Sequence, residues 1–72
     1  MSANFQFLKE GLISDLVSRV MVDFNLDMEK ALDVVYFSDT IAKLSDPATS
    51  LYKESAAYVY SILQDELRRG KL

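Results

Sequence analysis

Apolar residues recur at helical spacing in four places along the chain, and strict apolar–polar alternation is sustained nowhere. The clearest case is Leu12, Ile13, Leu16, Val17, Val20, Met21 and Phe24, the i, i+3, i+4, i+7 rhythm of one helical face. At 100° per residue these positions fill roughly half of the helical circumference. Ser14, Asp15, Ser18 and Arg19 lie outside that arc. The pattern predicts a first helix from near Asn4 to Phe24. Gly11 is its weak point, costing about 1 kcal/mol relative to alanine. Val22 falls on the polar side, where nothing within the chain calls for an apolar residue.

Polar signals divide the remainder. Asn25 can adopt the left-handed backbone that ends a helix. Asp27 then serves as N-cap of a second helix, with Glu29 near the positive end of its dipole. Leu26 is placed to staple onto Ala31. This second helix is expected over 28–36, with Met28, Ala31, Leu32, Val35 and Tyr36 facing inward. A short third helix follows, capped by Ser38, with Asp39 and Thr40 in its first turn and Ile41 and Leu44 inward. Asp46-Pro47 stops it, because the residue before proline avoids the α region. "DPATS" reads as a loop. A last helix begins at a Ser55 cap and runs to about Arg69. Gly70 is its C′ residue, and Arg68, Arg69 and Lys71 complement its negative end.

On the wheel of the last helix, Ala56, Val59, Tyr60, Leu63 and Leu67 form the inward stripe, with the Tyr60 hydroxyl at the rim. Tyr58 and Ile62 fall on a second face as i, i+4 neighbours. With Val22 and Phe37 they make up the apolar residues that a lone monomer has no use for. These four, Tyr58, Ile62, Val22 and Phe37, are the expected partner-binding residues. Tyr52 precedes the cap and is not assigned to core or surface.

Composition narrows the function. The 72 residues form one domain, 1–72, near the lower limit for an unaided core. Two glycines and one proline favour helix over a turn-rich β fold. There is no cysteine and no histidine, so disulfides, the common zinc sites and triads resting on His or Cys are excluded. A net charge of −3 and a pI near 4.7 give no general attraction to phosphate backbones or anionic lipid. The longest apolar runs are far too short to span a bilayer, and the start "MSANFQFLKEG" lacks the basic and apolar regions of a signal peptide. A cytoplasmic protein is expected, with no cofactor and no metal.

Four stretches of the chain suggest a specific chemistry. Asp23, Asp27, Glu29 and Asp33 crowd together, but their spacing is wrong for a calcium loop and the required glycine turn is missing. Capping and a solvated face account for them. "ALDVVYFSDTIAKL" has the outline of helix-turn-helix. Recognition helices present Arg, Lys, Asn or Gln to base edges, and this one offers Lys43 between Asp39 and Asp46. "NLDMEKALDVV" has the rhythm of a small three-helix ubiquitin-binding module, on apolar positions that any helical hairpin supplies. A catalytic tyrosine would need a partner to ionise below about pH 10, and no nucleophile or phosphate loop accompanies Lys53 and Glu54.

"LYKESAAYVYSILQDEL", preceded by "LDMEKALDVVYFSDTIAKL", resembles a family of short, uncharacterised bacterial proteins. Their pattern is an "ALD" helix, an "S-x-T-x-x-K-L" turn and "T-G-L-Y-x-E-S-x-A-Y-V-Y". The matching residues are Ala31, Leu32, Asp33, Ser38, Thr40, Lys43, Leu44, Thr49, Leu51, Tyr52, Glu54, Ser55, Ala57, Tyr58, Val59 and Tyr60. The resemblance covers about residues 26 to 67, and Ser50 stands where the pattern has glycine. Genes of this kind tend to lie near toxin–antitoxin-like modules, which implies a protein partner. The family implies no activity, so no catalytic residue is carried over.

The expectation is an all-α protein, a small helical bundle of three main helices plus one short helix. Its expected function is that of a non-enzymatic protein-interaction module, an antitoxin-like partner or regulator of a neighbouring gene product. It is expected to form a homodimer and to bind neither nucleic acid nor membrane. The alternative is a DNA-binding regulator of helix-turn-helix type.

Overall fold

The predicted limits of the first two helices recur almost residue for residue in the structure, a computed structural model that describes residues 3–71, apart from the side chains of Ala3 and Lys71. Helix α1 spans Ala3–Phe24. At 1.5 Å per residue it is about 33 Å long, so it runs the full 34 Å of the molecule's longest dimension. Leu12, Leu16, Val17 and Val20 are buried, with Ile13, Met21 and Phe24 packed at the edge of the core. Val22 is 81% exposed.

α1 ends as its sequence predicts. Asn25 has φ 54°, and the Leu26 amide donates to the Met21 carbonyl at 3.1 Å, the long-range bond of a Schellman cap. The Asp27 carboxylate then accepts from the Lys30 amide at 2.8 Å, opening α2 over Met28–Tyr36. The short connection folds α2 back along α1.

The expected inward face of α2 is corrected in part. Ala31 and Val35 are fully buried, but Met28 is 60%, Tyr36 56% and Leu32 36% exposed. The physical reason is the width of the apolar arc. From Val34 through Ala31 and Val35 to Met28, Leu32 and Tyr36 it covers about 200°. Packing against α1 covers only the Val34–Ala31–Val35 side.

Ser38 joins α2 to α3 (Asp39–Leu44). Its hydroxyl donates to the Val35 carbonyl at 2.6 Å and accepts from the Ile41 amide at 3.1 Å. Thr40, Ile41 and Leu44 are buried. "DPATS" is more ordered than a loop. Two 3-10 turns, Pro47–Thr49 and Leu51–Lys53, meet at Ser50, whose φ is 56°. Asp46 caps the first turn by accepting from the Ala48 amide at 3.0 Å. The Thr49 hydroxyl ties it to α3 by donating to the Lys43 carbonyl at 2.7 Å. Leu51 is buried, and Tyr52 packs edge-on against Phe5 with ring centroids 4.8 Å apart.

The Ser55 hydroxyl accepts from the Tyr58 amide at 3.1 Å and opens α4, Ala56–Glu66. α4 is shorter than expected. From Leu67 to Lys71 the backbone widens into a π-type turn that ends at Gly70, φ 127°. The Lys71 side chain, expected at the helix end, lies outside the described residues. Val59, Tyr60, Leu63 and Leu67 enter the core against α1, while α3 packs on the other flank of α4. The described residues are 85% helical with no strand, and the all-α class holds.

Candidate partner-binding surface

Two polar arrangements at the edge of the core hold the helices together and limit the chemistry open to them. In the first, the Tyr60 hydroxyl donates to the Asp23 carboxylate at 2.6 Å, and Gln64 Nε2 donates to the same oxygen at 3.2 Å. This pins the middle of α4 to the end of α1. Burial, the hydrogen bond and the charge of Asp23 together push the Tyr60 phenol far above its ordinary value. Tyr60 is therefore fixed as a neutral donor. Asp23, expected only on a solvated face, is the acceptor that a tyrosine at the rim of the core requires.

The second arrangement went unseen in the sequence. Glu66, on the last turn of α4, reaches across to the first turn of α3. Its Oε2 accepts from the Asp39 amide at 2.7 Å, and its Oε1 accepts from the Thr40 amide at 3.0 Å and the Thr40 hydroxyl at 2.8 Å. The start of the would-be recognition helix is thus already filled by a carboxylate. Among the described residues no group of three or more His, Cys, Asp or Glu is arranged to hold a metal. No helix among them is long and apolar enough to cross a membrane.

The apolar surface is more informative. Val22 and Phe37 are each 81% exposed and Tyr58 is 52% exposed. Ile62 is half-buried and packs against the core, where it borders a hollow with Thr40 and Lys43. These four do not form one patch. Tyr58 and Ile62 lie on α4, Ile62 beside α3. Val22 lies at the far end of α1 from Phe37, which shares a depression with Gln6, Lys9 and Ile13.

What the structure does bring together is Met28, Leu32 and Tyr36, in one row along α2. With Ile13, Ser14, Val17, Ser18 and Glu10 of α1 they line an open cleft of about 300 Å³. Glu10 is its one charged wall. Tyr36, Ile13 and Glu10 also border the depression that holds Phe37, so the apolar surface is continuous from Met28 to Phe37. Phe7, 76% exposed, stands on the outer face of α1 beside Gly11. The i, i+4, i+8 spacing of Met28, Leu32 and Tyr36 was visible in the sequence, but in a nine-residue helix with so wide an apolar arc it reads equally well as core.

No protein-family model matches this chain, and neither the curated proteins nor the solved structures yield a significant match.

Proposed function

We propose that this chain is a small helical bundle that acts as a non-enzymatic protein-interaction module, with the α1–α2 cleft as its binding surface. One observation carries this reading: Met28, Leu32 and Tyr36 stand exposed in a row beside a cleft floored by Ile13 and Val17. Contiguous exposed apolar surface costs free energy in a monomer and marks interaction sites. Aromatic and methionine side chains are enriched in the centres of such surfaces. Phe37 extends the surface at one end. The antitoxin-like role and the bacterial, cytoplasmic setting rest on the resemblance of residues 26 to 67 and on composition.

Direct DNA binding is the weaker alternative. α3 is six residues long, its first turn is held by Glu66, and its exposed positions are Asp39, Ala42 and Lys43. A mobility-shift titration is expected to show no sequence-specific binding tighter than roughly micromolar.

The test of the interaction reading is affinity capture from native cells with the wild-type chain and with Leu32→Asp. A purified captured protein should bind the wild type and lose affinity for Leu32→Asp, while Tyr58→Ala leaves binding unchanged. Equal binding to wild type and Leu32→Asp rejects the cleft as the binding surface.

A further inference from the structure

The apolar row of Met28, Leu32 and Tyr36 lies between carboxylates. Glu10 stands on the α1 side of the cleft. On the other side, Glu29 and Asp33 follow Met28 and Leu32 in sequence. Each lies one 100° step further round α2 from the buried Ala31 and Val35. All three acidic residues are exposed. None of them has an ion pair or a side-chain hydrogen bond among the described residues.

The bases close in sequence are turned elsewhere. Lys30 falls about 160° round α2 from Leu32. Lys9 lies at the Phe37 end, its ammonium 5.4 Å from the centre of the Phe5 ring. Neither lines the cleft.

These charges make a second copy of the chain a poor occupant. Laid antiparallel about a two-fold axis, α2 faces α2, and Glu29 and Asp33 come alongside the same two residues of the other copy. Laid parallel, they come opposite its Glu10 side. Both arrangements set like charges against each other around an apolar centre, which disfavours association. A cationic rim on the occupant has the opposite effect.

We propose that the α1–α2 cleft takes a basic amphipathic helix of another protein. Its apolar stripe lies on Met28, Leu32 and Tyr36, and its lysines or arginines meet Glu10 on one side and Glu29 and Asp33 on the other. This inference rests on the interaction reading and names the chemical class of the partner. The shape favours a helix. Met28 to Tyr36 runs about 12 Å, a little over two turns, and the depression beside Phe37, Ile41 and Ala42 prolongs the surface. Among the described residues there is no strand, so no sheet edge is offered to an extended peptide. A helix satisfies its own backbone and lays only side chains into a groove. The net charge of −3 adds long-range attraction for a cationic partner.

The probe is a dye-labelled synthetic peptide of about 18 residues, long enough to form a helix. It carries leucine at every third or fourth position and lysine on both flanks of that stripe. A second peptide has glutamate in place of every lysine. Fluorescence anisotropy reads the binding of each to the full chain, with circular dichroism on every variant. The lysine peptide should bind at least about tenfold more tightly than the glutamate peptide, and its affinity should fall as salt is raised. Glu29→Lys combined with Asp33→Lys should weaken it by more than about tenfold. Glu54→Lys combined with Asp65→Lys changes the net charge equally, at exposed positions that do not line the cleft, and should weaken it by no more than about twofold. Met28→Ser should weaken it at every salt concentration.

No binding of the lysine peptide, equal binding of the two peptides, or equal losses from the two double variants each overturns the proposal. So does a wild type that dimerises in sedimentation equilibrium while Met28→Ser does not, because a second copy then fills the cleft. A purified captured protein that depends on Leu32 but binds Glu29→Lys with Asp33→Lys undiminished sinks the basic class alone and leaves the interaction reading standing.

Discussion

Replacing Glu66 by alanine removes a carboxylate that accepts three hydrogen bonds from the first turn of α3. The loss is worked from the environment of each donor. Thr40 is 2% exposed, so its hydroxyl and amide cannot turn to bulk water, and leaving such groups short of an acceptor costs about 1–3 kcal/mol. The Asp39 amide lies at an exposed residue and can be rehydrated, so it adds only a few tenths of a kcal/mol. Glu66→Ala should therefore cost about 3 kcal/mol, most of it through Thr40. That is a large share of the roughly 5 kcal/mol available to a small domain. At an m-value near 1 kcal/mol/M, the urea midpoint should fall by about 2–3 M. Glu66→Gln keeps one acceptor oxygen and should lose about half as much. Thr40→Val, measured in both backgrounds, should show a coupling with Glu66 of at least about 1 kcal/mol. A Glu66→Ala loss below about 0.5 kcal/mol, or no coupling with Thr40, would refute the assignment of the cap.

Tyr60→Ala removes a buried ring together with its bond to Asp23 and should cost about 3–4 kcal/mol, whereas Tyr58→Ala, at a half-exposed site, should cost less than about 1 kcal/mol; paired urea melts compare them, and equal losses would contradict the outward placement of Tyr58. Because the Tyr60 phenol is raised in the folded state, the unfolded chain loses its proton first as pH rises. The stabilisation is complete below about pH 10, the unfolded value, and is lost as pH climbs through the folded value; melts across the alkaline range should show this decline for wild type and a shallower one for Tyr60→Phe. Ser50→Gly relieves a left-handed backbone, φ 56°, and should stabilise by about 0.5–1 kcal/mol in thermal melts; a loss of stability would show that the serine side chain matters more than the backbone.

Local signals were legible because they are written in short-range chemistry. Asn25, Asp27, Ser38 and Ser55 take the capping roles their side chains dictate, and the helix limits follow from them. The buried stripes of α1 and α4 were legible because each helix offers one clear apolar face. α2 was not, since its arc is wider than the surface that covers it, and which side stays uncovered depends on how α2 leans on α1. The Asp23–Tyr60 and Glu66–Thr40 bonds join residues 37 and 26 positions apart, and no periodicity reports such pairings. Ser50 was marked as a departure from a glycine in the resembled pattern, and it occupies the left-handed geometry that glycine accepts most easily. The expected partner-binding set assembled residues that share exposure or spacing but not location, because a helical wheel gives direction and not neighbourhood.

The Glu66 cap also bears on the order in which the chain assembles. A helix of six residues cannot persist alone, since nucleation costs more than so few hydrogen bonds return. Its first turn is completed by a side chain that becomes available only once α4 has formed and docked. α1, α2 and their Schellman connection can pair as a local hairpin without this help. Folding should therefore proceed in two stages, with the α1–α2 hairpin early and the segment from Ser38 to Tyr52 gained together with α4. In kinetic terms, substitutions at Glu66 or Thr40 should leave the folding rate nearly unchanged and accelerate unfolding, the signature of contacts made after the transition state.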